Sequence, residues 1–344
     1  AGAADVGAAL CRQPEVDDIH LTGSDRTYEA IVFGPGSEGA ARKATGERLL
    51  DKPVSAELGN VSPVIVVPGR WSAADMAHQA DNIATMLTNN GGFNCNAARV
   101  IVTHAGWAQR EQLLVAIRDQ LTRTETRVAY YPGAAARFDA FLQAHPEATQ
   151  VGHRSGGRLP WMLVEGVDPQ RANDICFTTE AFCGVFAETA LTAESVAAFV
   201  DRAVAFANDT LMGTLNATVI ANPRTQRDPE AGPAVERALA DLRYGTVSVN
   251  GWAALGYALG VTTWGAFPGH VPTAIGSGVG LVHNTLMFSR AQKSVIRAPF
   301  RSRPKPVWFA SHRTAHRLAP RLVRFEASPS PAALPAIFAL ALRG

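Results

Sequence analysis

Six short runs of β-branched and other apolar residues, separated by stretches of helical periodicity, constrain the fold of this chain more than any other feature. They are Val64 to Val67, Val100 to Thr103, Trp161 to Val164, Val185 to Glu188, Ala217 to Ile220 and Thr246 to Asn250. Short, near-continuous apolar runs of this kind read as buried strands. Between them, Gln109 to Leu121, Ala193 to Ala207 and Glu230 to Leu242 read as helices. So does Asp75 to Leu87, where Met76, Ala80, Ile83, Ala84 and Leu87 recur at helical spacing. The alternation predicts an α/β fold with a largely parallel sheet, because parallel neighbours need a crossover that helices supply.

One stretch sets chemistry into this pattern. Thr88 to Ala97, T-N-N-G-G-F-N-C-N-A, places Cys95 among small and amide residues at a helix-to-strand junction. Such junctions commonly carry catalytic groups, and the two glycines let backbone approach a ligand closely. Backbone N–H groups and a positive cofactor ring would favour a thiolate there, which makes Cys95 a candidate nucleophile. A buried small hydrophobe is the other reading. Cys11, Cys95, Cys176 and Cys183 have neither paired zinc spacing nor the density of a disulfide scaffold, which fits reduced thiols in a cytoplasm. A net charge of +2 gives no strong field for nucleic acid. The longest late apolar stretch, Ala332 to Leu342, is interrupted by Pro335 and is too short to span a bilayer. His312 and His316 stand four apart, as metal pairs do on a helix, but no third ligand motif lies nearby and no metal is expected.

Four segments fall in a telling order: Glu57-Leu58-Gly59-Asn60-Val61-Ser62-Pro63, then Asn90 to Ala97, then Thr179-Glu180-Ala181-Phe182, then Gly245-Thr246-Val247-Ser248-Val249-Asn250. In this order and spacing they resemble the aldehyde dehydrogenase superfamily, and the similarity runs from Pro14 to about Phe300. The resemblance implies an α/β chain with the remnant of a doubly wound nucleotide-binding domain over 1–58 and a thiol-bearing catalytic domain, with a largely parallel sheet, over 59–280. An oligomerisation strand and basic extension would occupy 281–344. It implies too that family counterparts carry an earlier segment, with a phosphate-contacting lysine and an oxyanion asparagine.

By the same resemblance, Cys95 is the nucleophile and Glu57 the base that activates water. Gly23, Ser24, Leu58, Glu180 and Phe182 would meet NAD or NADP, while Asn90 and Asn250 would support the site without touching substrate. For Gly23-Ser24, a plain strand-to-helix turn with a serine cap is the alternative. The implied reaction oxidises a small-molecule aldehyde to the acid. A CoA-acylating enzyme, or a non-catalytic binding or assembly protein of the same fold, stands as the alternative.

Some positions depart from the family pattern. Phe93 stands where glutamine is usual, Tyr28 where glycine is usual, and Cys183-Gly184 follow Phe182 in place of glycine-proline. Gly34 to Pro53, with Gly34, Pro35, Gly36, Ser37 and Gly39 at its head, reads as a surface loop ending in a short helix. Trp252, Trp264 and Phe267 fall in the region that closes the family's substrate tunnel. Lys293 to Phe300 resembles the strand that joins a partner subunit's sheet, which implies a homodimer or homotetramer. Beyond it the chain is basic, through Arg301, Arg303, Lys305, Arg313, Arg317, Arg321 and Arg324. This reads as a solvated extension packing through Trp308, Phe309, Leu322, Phe325 and Phe338, with a face for an anionic partner as the alternative.

Overall fold

The computed structural model describes residues 4–344. Its strands are β1 (Ile19–Thr22), β2 (Val54–Glu57), β3 (Ser62–Val66), β4 (Ala98–His104), β5 (Thr149–Val151), β6 (Trp161–Val164), β7 (Val185–Leu191), β8 (Asn216–Ile220), β9 (Thr246–Val249), β10 (Gly278–Val279) and β11 (Ser294–Arg297). A three-stranded sheet has the order β1-β2-β10, with β1 and β2 parallel and β10 antiparallel. An eight-stranded sheet has the order β11-β9-β8-β3-β4-β7-β6-β5, and only its β5–β6 pair is antiparallel. The fold is therefore α/β with a large, mostly parallel sheet.

Strand alternation sends successive side chains to opposite faces, and both faces of the large sheet are covered. Ile65, Val100 and Val102 pack toward Phe199, Ala203, Val235 and Leu239, carried by helices Val196–Asp209 and Ala231–Asp241. Val64, Val66 and Ile101 pack toward Met76, Ile83, Leu113 and Ile117 on helices Ala73–Thr88 and Arg110–Arg123. This double cover explains why the strands read as unbroken apolar runs. The small sheet has its own core of Tyr28, Val32, Phe33, Ala56, Leu58 and Ile275, so Tyr28 serves there as a buried packing residue.

Two regions differ from expectation. In residues 34–53 the helix, Gly36–Thr45, occupies the head of the segment, and the irregular part follows. Ala40, Ala41, Arg42 and Lys43 are strong helix formers, and Gly39 lies so close to the Gly34 carbonyl that a side chain would collide. Gly46, with φ 76°, closes the helix in the left-handed conformation. The late strand β11 joins this chain's own sheet, parallel to β9, and forms its edge. No helix among the described residues is long and apolar enough to cross a membrane.

The two sheets present opposite ends to a common cleft. Thr22 and Glu57 close the carboxyl ends of β1 and β2, whereas Ser62 and Asn216 open β3 and β8 at their amino ends. Ser62 Oγ and Asn216 Nδ2 both donate to the Cys95 carbonyl, each at 3.3 Å. Asn60 Nδ2 ties this edge together by donating to Ser62 Oγ at 3.1 Å and to the Asn216 carbonyl at 3.0 Å.

Candidate active site

The thiol loop begins where helix Ala73–Thr88 ends. Asn90, Gly91 and Gly92 follow with φ of 51°, 68° and 80°, a left-handed run that glycine and asparagine tolerate best. At Gly92 a side chain would strike the Cys183 carbonyl. Asn90 Nδ2 donates to the Phe93 carbonyl and to Asn94 Oδ1, each at 3.2 Å, and so braces the loop from within. Buried Arg99 holds its far side, donating from Nη1 to the Cys183 carbonyl at 2.7 Å and from Nη2 to the Gly92 carbonyl at 2.6 Å.

This scaffold delivers Cys95 to Glu57. The Cys95 thiol donates to Glu57 Oε1 at 3.4 Å, and Trp264 Nε1 donates to the same oxygen at 2.7 Å. Thr22 Oγ1 reaches Oε2 at 3.5 Å. Glu57 is 3% exposed, and all three donors are neutral. Burial pushes the Cys95 thiol well above its ordinary value, and the charges of Glu57 and Glu180 together with the hydrogen bond to Glu57 push it further. The thiolate expected from the sequence rested on backbone N–H groups and a cofactor's positive ring; in the chain by itself Glu57 stands beside the thiol as its hydrogen-bond acceptor.

Cys95 and Glu57 line a pocket of about 1190 Å³ together with Gly23, Ser24, Leu58, Glu180 and Phe182. Ser24 Oγ accepts from the Thr27 N–H at 3.2 Å and caps helix Asp25–Val32, so its side chain already serves as a helix cap. Glu180 sits against Gly59, where any side chain would collide with its carboxylate. Burial raises the Glu180 carboxyl to about 7 despite the opposing charge of Arg99, and its Oε1 has no hydrogen-bond partner. Phe182, at φ 42°, packs edge-on to Tyr131 with ring centroids 4.8 Å apart and to Phe93 at 6.1 Å.

Asn90 and Asn250 lie outside the pocket wall. Asn250, at φ 63°, accepts from the Ala221 N–H at 2.9 Å and ties the end of β9 to the end of β8. Of the tunnel aromatics, Trp252 lines the pocket and Trp264 holds Glu57, whereas Phe267 lies beneath Lys293 Nζ, 5.2 Å from its ring centre. Residues that the sequence did not single out include Arg99 and Arg137, the latter donating to the Ala181 and Phe182 carbonyls at 3.0 and 3.3 Å. Isolated arginines carry no pattern that would have marked them. His312 precedes helix Ala315–Ala327, which carries His316, so the two histidines do not share a helix. Among the described residues, His145, Asp174 and Cys176 bring metal-ligating atoms within 4.8 Å of one another. Their bonding is internal, since Asp174 caps helix Ile175–Thr178 and accepts from His145 Nε2 at 2.9 Å.

Residues 1–127 match the aldehyde dehydrogenase family profile. Over that segment the chain is similar to the aldehyde dehydrogenase family. A curated relative, peroxisomal aminoaldehyde dehydrogenase 1 of Pisum sativum, is 26% identical over 238 residues, covering 63% of this chain and 42% of that protein. The NAD-dependent aldehyde dehydrogenase of Sinorhizobium meliloti superposes with a TM-score of 0.59 at 21% identity, over 81% of this chain and 50% of that one. An NADP-dependent glyceraldehyde-3-phosphate dehydrogenase from Bacillus halodurans, solved with NADP, superposes with a TM-score of 0.60 at 21% identity, over 82% and 52%. The chain thus spans about half the length, or less, of these superfamily members. The fold is the superfamily's, and the E-L-G-N and N-G-G-F-N-C segments that suggested it lie inside the family match.

Proposed function

We propose that this chain is the thiol-bearing part of an NAD(P)-dependent aldehyde dehydrogenase that oxidises a small aldehyde to its carboxylic acid. The contact between the Cys95 thiol and Glu57 carries the reading, because it joins a nucleophile to a base inside one pocket. The unpartnered Glu180 Oε1, on a residue of the pocket wall, fits a hydroxyl-bearing ribose. Gly23, Ser24, Leu58, Glu180 and Phe182 would hold NAD or NADP, which supplies the hydride acceptor when bound.

Glu57 takes the thiol proton as the Cys95 sulfur bonds to the aldehyde carbon and the carbonyl electron pair moves to oxygen. Once the adduct has been oxidised, a thioester remains on Cys95. Glu57, having passed its proton to solvent, then takes one from water as the water oxygen attacks that thioester and sulfur leaves. A base beside the thiol favours hydrolysis over acyl transfer to CoA. Trp252, Tyr131 and Tyr257 in the pocket wall favour an apolar or aromatic aldehyde.

The proposed division keeps 1–58 as the cofactor unit, 59–280 as the catalytic unit and 281–344 as the extension, with β10 returning to pair with β2. The outer edge of β11 offers a ladder to a second copy, which supports a homodimer or homotetramer. In the full-length protein, Cys95→Ala should abolish oxidation. Glu57→Gln should slow thioester formation at neutral pH. Raising the pH should restore a single burst of reduced cofactor without restoring turnover. Normal steady-state turnover in Glu57→Gln would sink the assignment.

A further inference from the structure

The basic extension folds back beside the thiol loop, and a second cleft of about 930 Å³ lies between them. Thr88, Arg123, Arg127, Arg158, Trp308 and His312 give this cleft its character. Arg158 is already engaged, since its Nη1 donates to Glu125 Oε1 at 2.8 Å. Arg123 and Arg127 make no ion pair among the described residues, and Glu125, the acid in the lining, is taken by Arg158, so the wall keeps two unpaired guanidinium charges. Two buried groups in the same wall also lack partners. Thr88, 4% exposed, has an unpaired Oγ1, and His312, 6% exposed, has two unpaired ring nitrogens. The two unpaired guanidinium groups in one wall mark a place where a ligand's oxygens would complete the bonding.

We infer that this cleft binds a small, multiply charged oxyanion of the phosphorylated-metabolite class. Guanidinium forks match phosphate oxygens in geometry as well as charge. The volume suits a small molecule, and Trp308, 38% exposed, offers a flat apolar face to its carbon part. The site is built from residues outside the aldehyde chemistry, so it stands independently of the proposed reaction. It is nevertheless coupled to the thiol loop. Asn89 lines both clefts, and Arg127 Cβ lies 3.9 Å from where a side chain at Gly91 would begin. A bound oxyanion would therefore sit beside the left-handed turn that carries Cys95 and hinder access to it.

Calorimetric titration of the full-length protein with inorganic pyrophosphate tests the inference. Wild type should bind, and so should Ser24→Ala, which alters the turn in the other pocket. The double variant Arg123→Ala/Arg127→Ala, changed at the surface and checked for unaltered melting, should bind at least about tenfold more weakly. Pyrophosphate should also slow alkylation of Cys95 in wild type and leave the double variant unaffected. Absence of binding to wild type, or equal binding by the double variant, overturns the site. Loss of binding in Ser24→Ala alone places the anion in the first pocket and overturns it as well. Unchanged alkylation with pyrophosphate bound overturns the coupling.

Discussion

Glu57 and Glu188 are both buried carboxylates, and the regions around them are built on different terms. Glu188, fully buried on β7, accepts from Arg110 Nε at 2.9 Å and Nη2 at 2.6 Å, and from the Gly166 N–H at 3.1 Å. Glu57 accepts from an indole, a thiol and a hydroxyl, and from no cation. The difference separates a carboxylate locked into an ion pair from one held only by neutral donors, although both are buried.

The largest expected effect breaks the comparison at Glu57. Glu57→Gln should lower turnover by about 10²–10⁴-fold, the usual range for a general base, while leaving the denaturation midpoint nearly unchanged. Glu188→Gln should do the reverse, since it leaves the partly buried Arg110 guanidinium uncompensated. A loss of about 3–5 kcal/mol in urea unfolding is expected. A stable Glu188→Gln protein would remove the distinction. Trp264→Phe probes the neutral donor, keeping the aromatic bulk and deleting only the N–H. Deacylation should slow about tenfold with little change in aldehyde KM, because a hydrogen bond to a charged group contributes about 1.5–3 kcal/mol.

Glu180 is the intermediate case, with Arg99 and Arg137 acting on it by charge while its Oε1 stays unpartnered. Its folded-state value of about 7 lies above its ordinary 4.5, so the folded protein binds more protons than the unfolded chain between these values. Stability should therefore fall as pH rises from about 4.5 to about 7. Glu180→Gln should flatten that slope in a pH series of denaturation midpoints. An identical slope in both proteins would show that another group is responsible.

Much of this arrangement could be read from the chain. Val64, Val100 and Val247 announce a doubly covered sheet because parallel strands need no polar face, and the E-L-G-N and thiol segments named Glu57 and Cys95. Other features could not be read locally. Trp264 was visible as an aromatic, but its N–H meets a carboxylate 207 residues away, a pairing that only the folded path of β2 and the loop before β10 creates. The upward push on the Cys95 thiol comes first from burial and then from Glu57 and Glu180, neither of which neighbours it in sequence. Helix Gly36–Thr45 hid behind its glycine and proline head, since those residues serve there as cap and close contact, where they were read as breakers.

The large sheet points the amino ends of β3 and β8 at Cys95, so the turns that leave its strands at the other end lie remote from the chemistry. This inverts the usual expectation for open α/β sheets, where ligands gather beyond the carboxyl ends. It also divides the surface into one rim that tolerates no error and one that is open to grafting. Residues 105–106 after β4 and 192–194 after β7 are largely exposed. A peptide tag or a whole reporter domain spliced there would ride on the protein with the thiol pocket undisturbed.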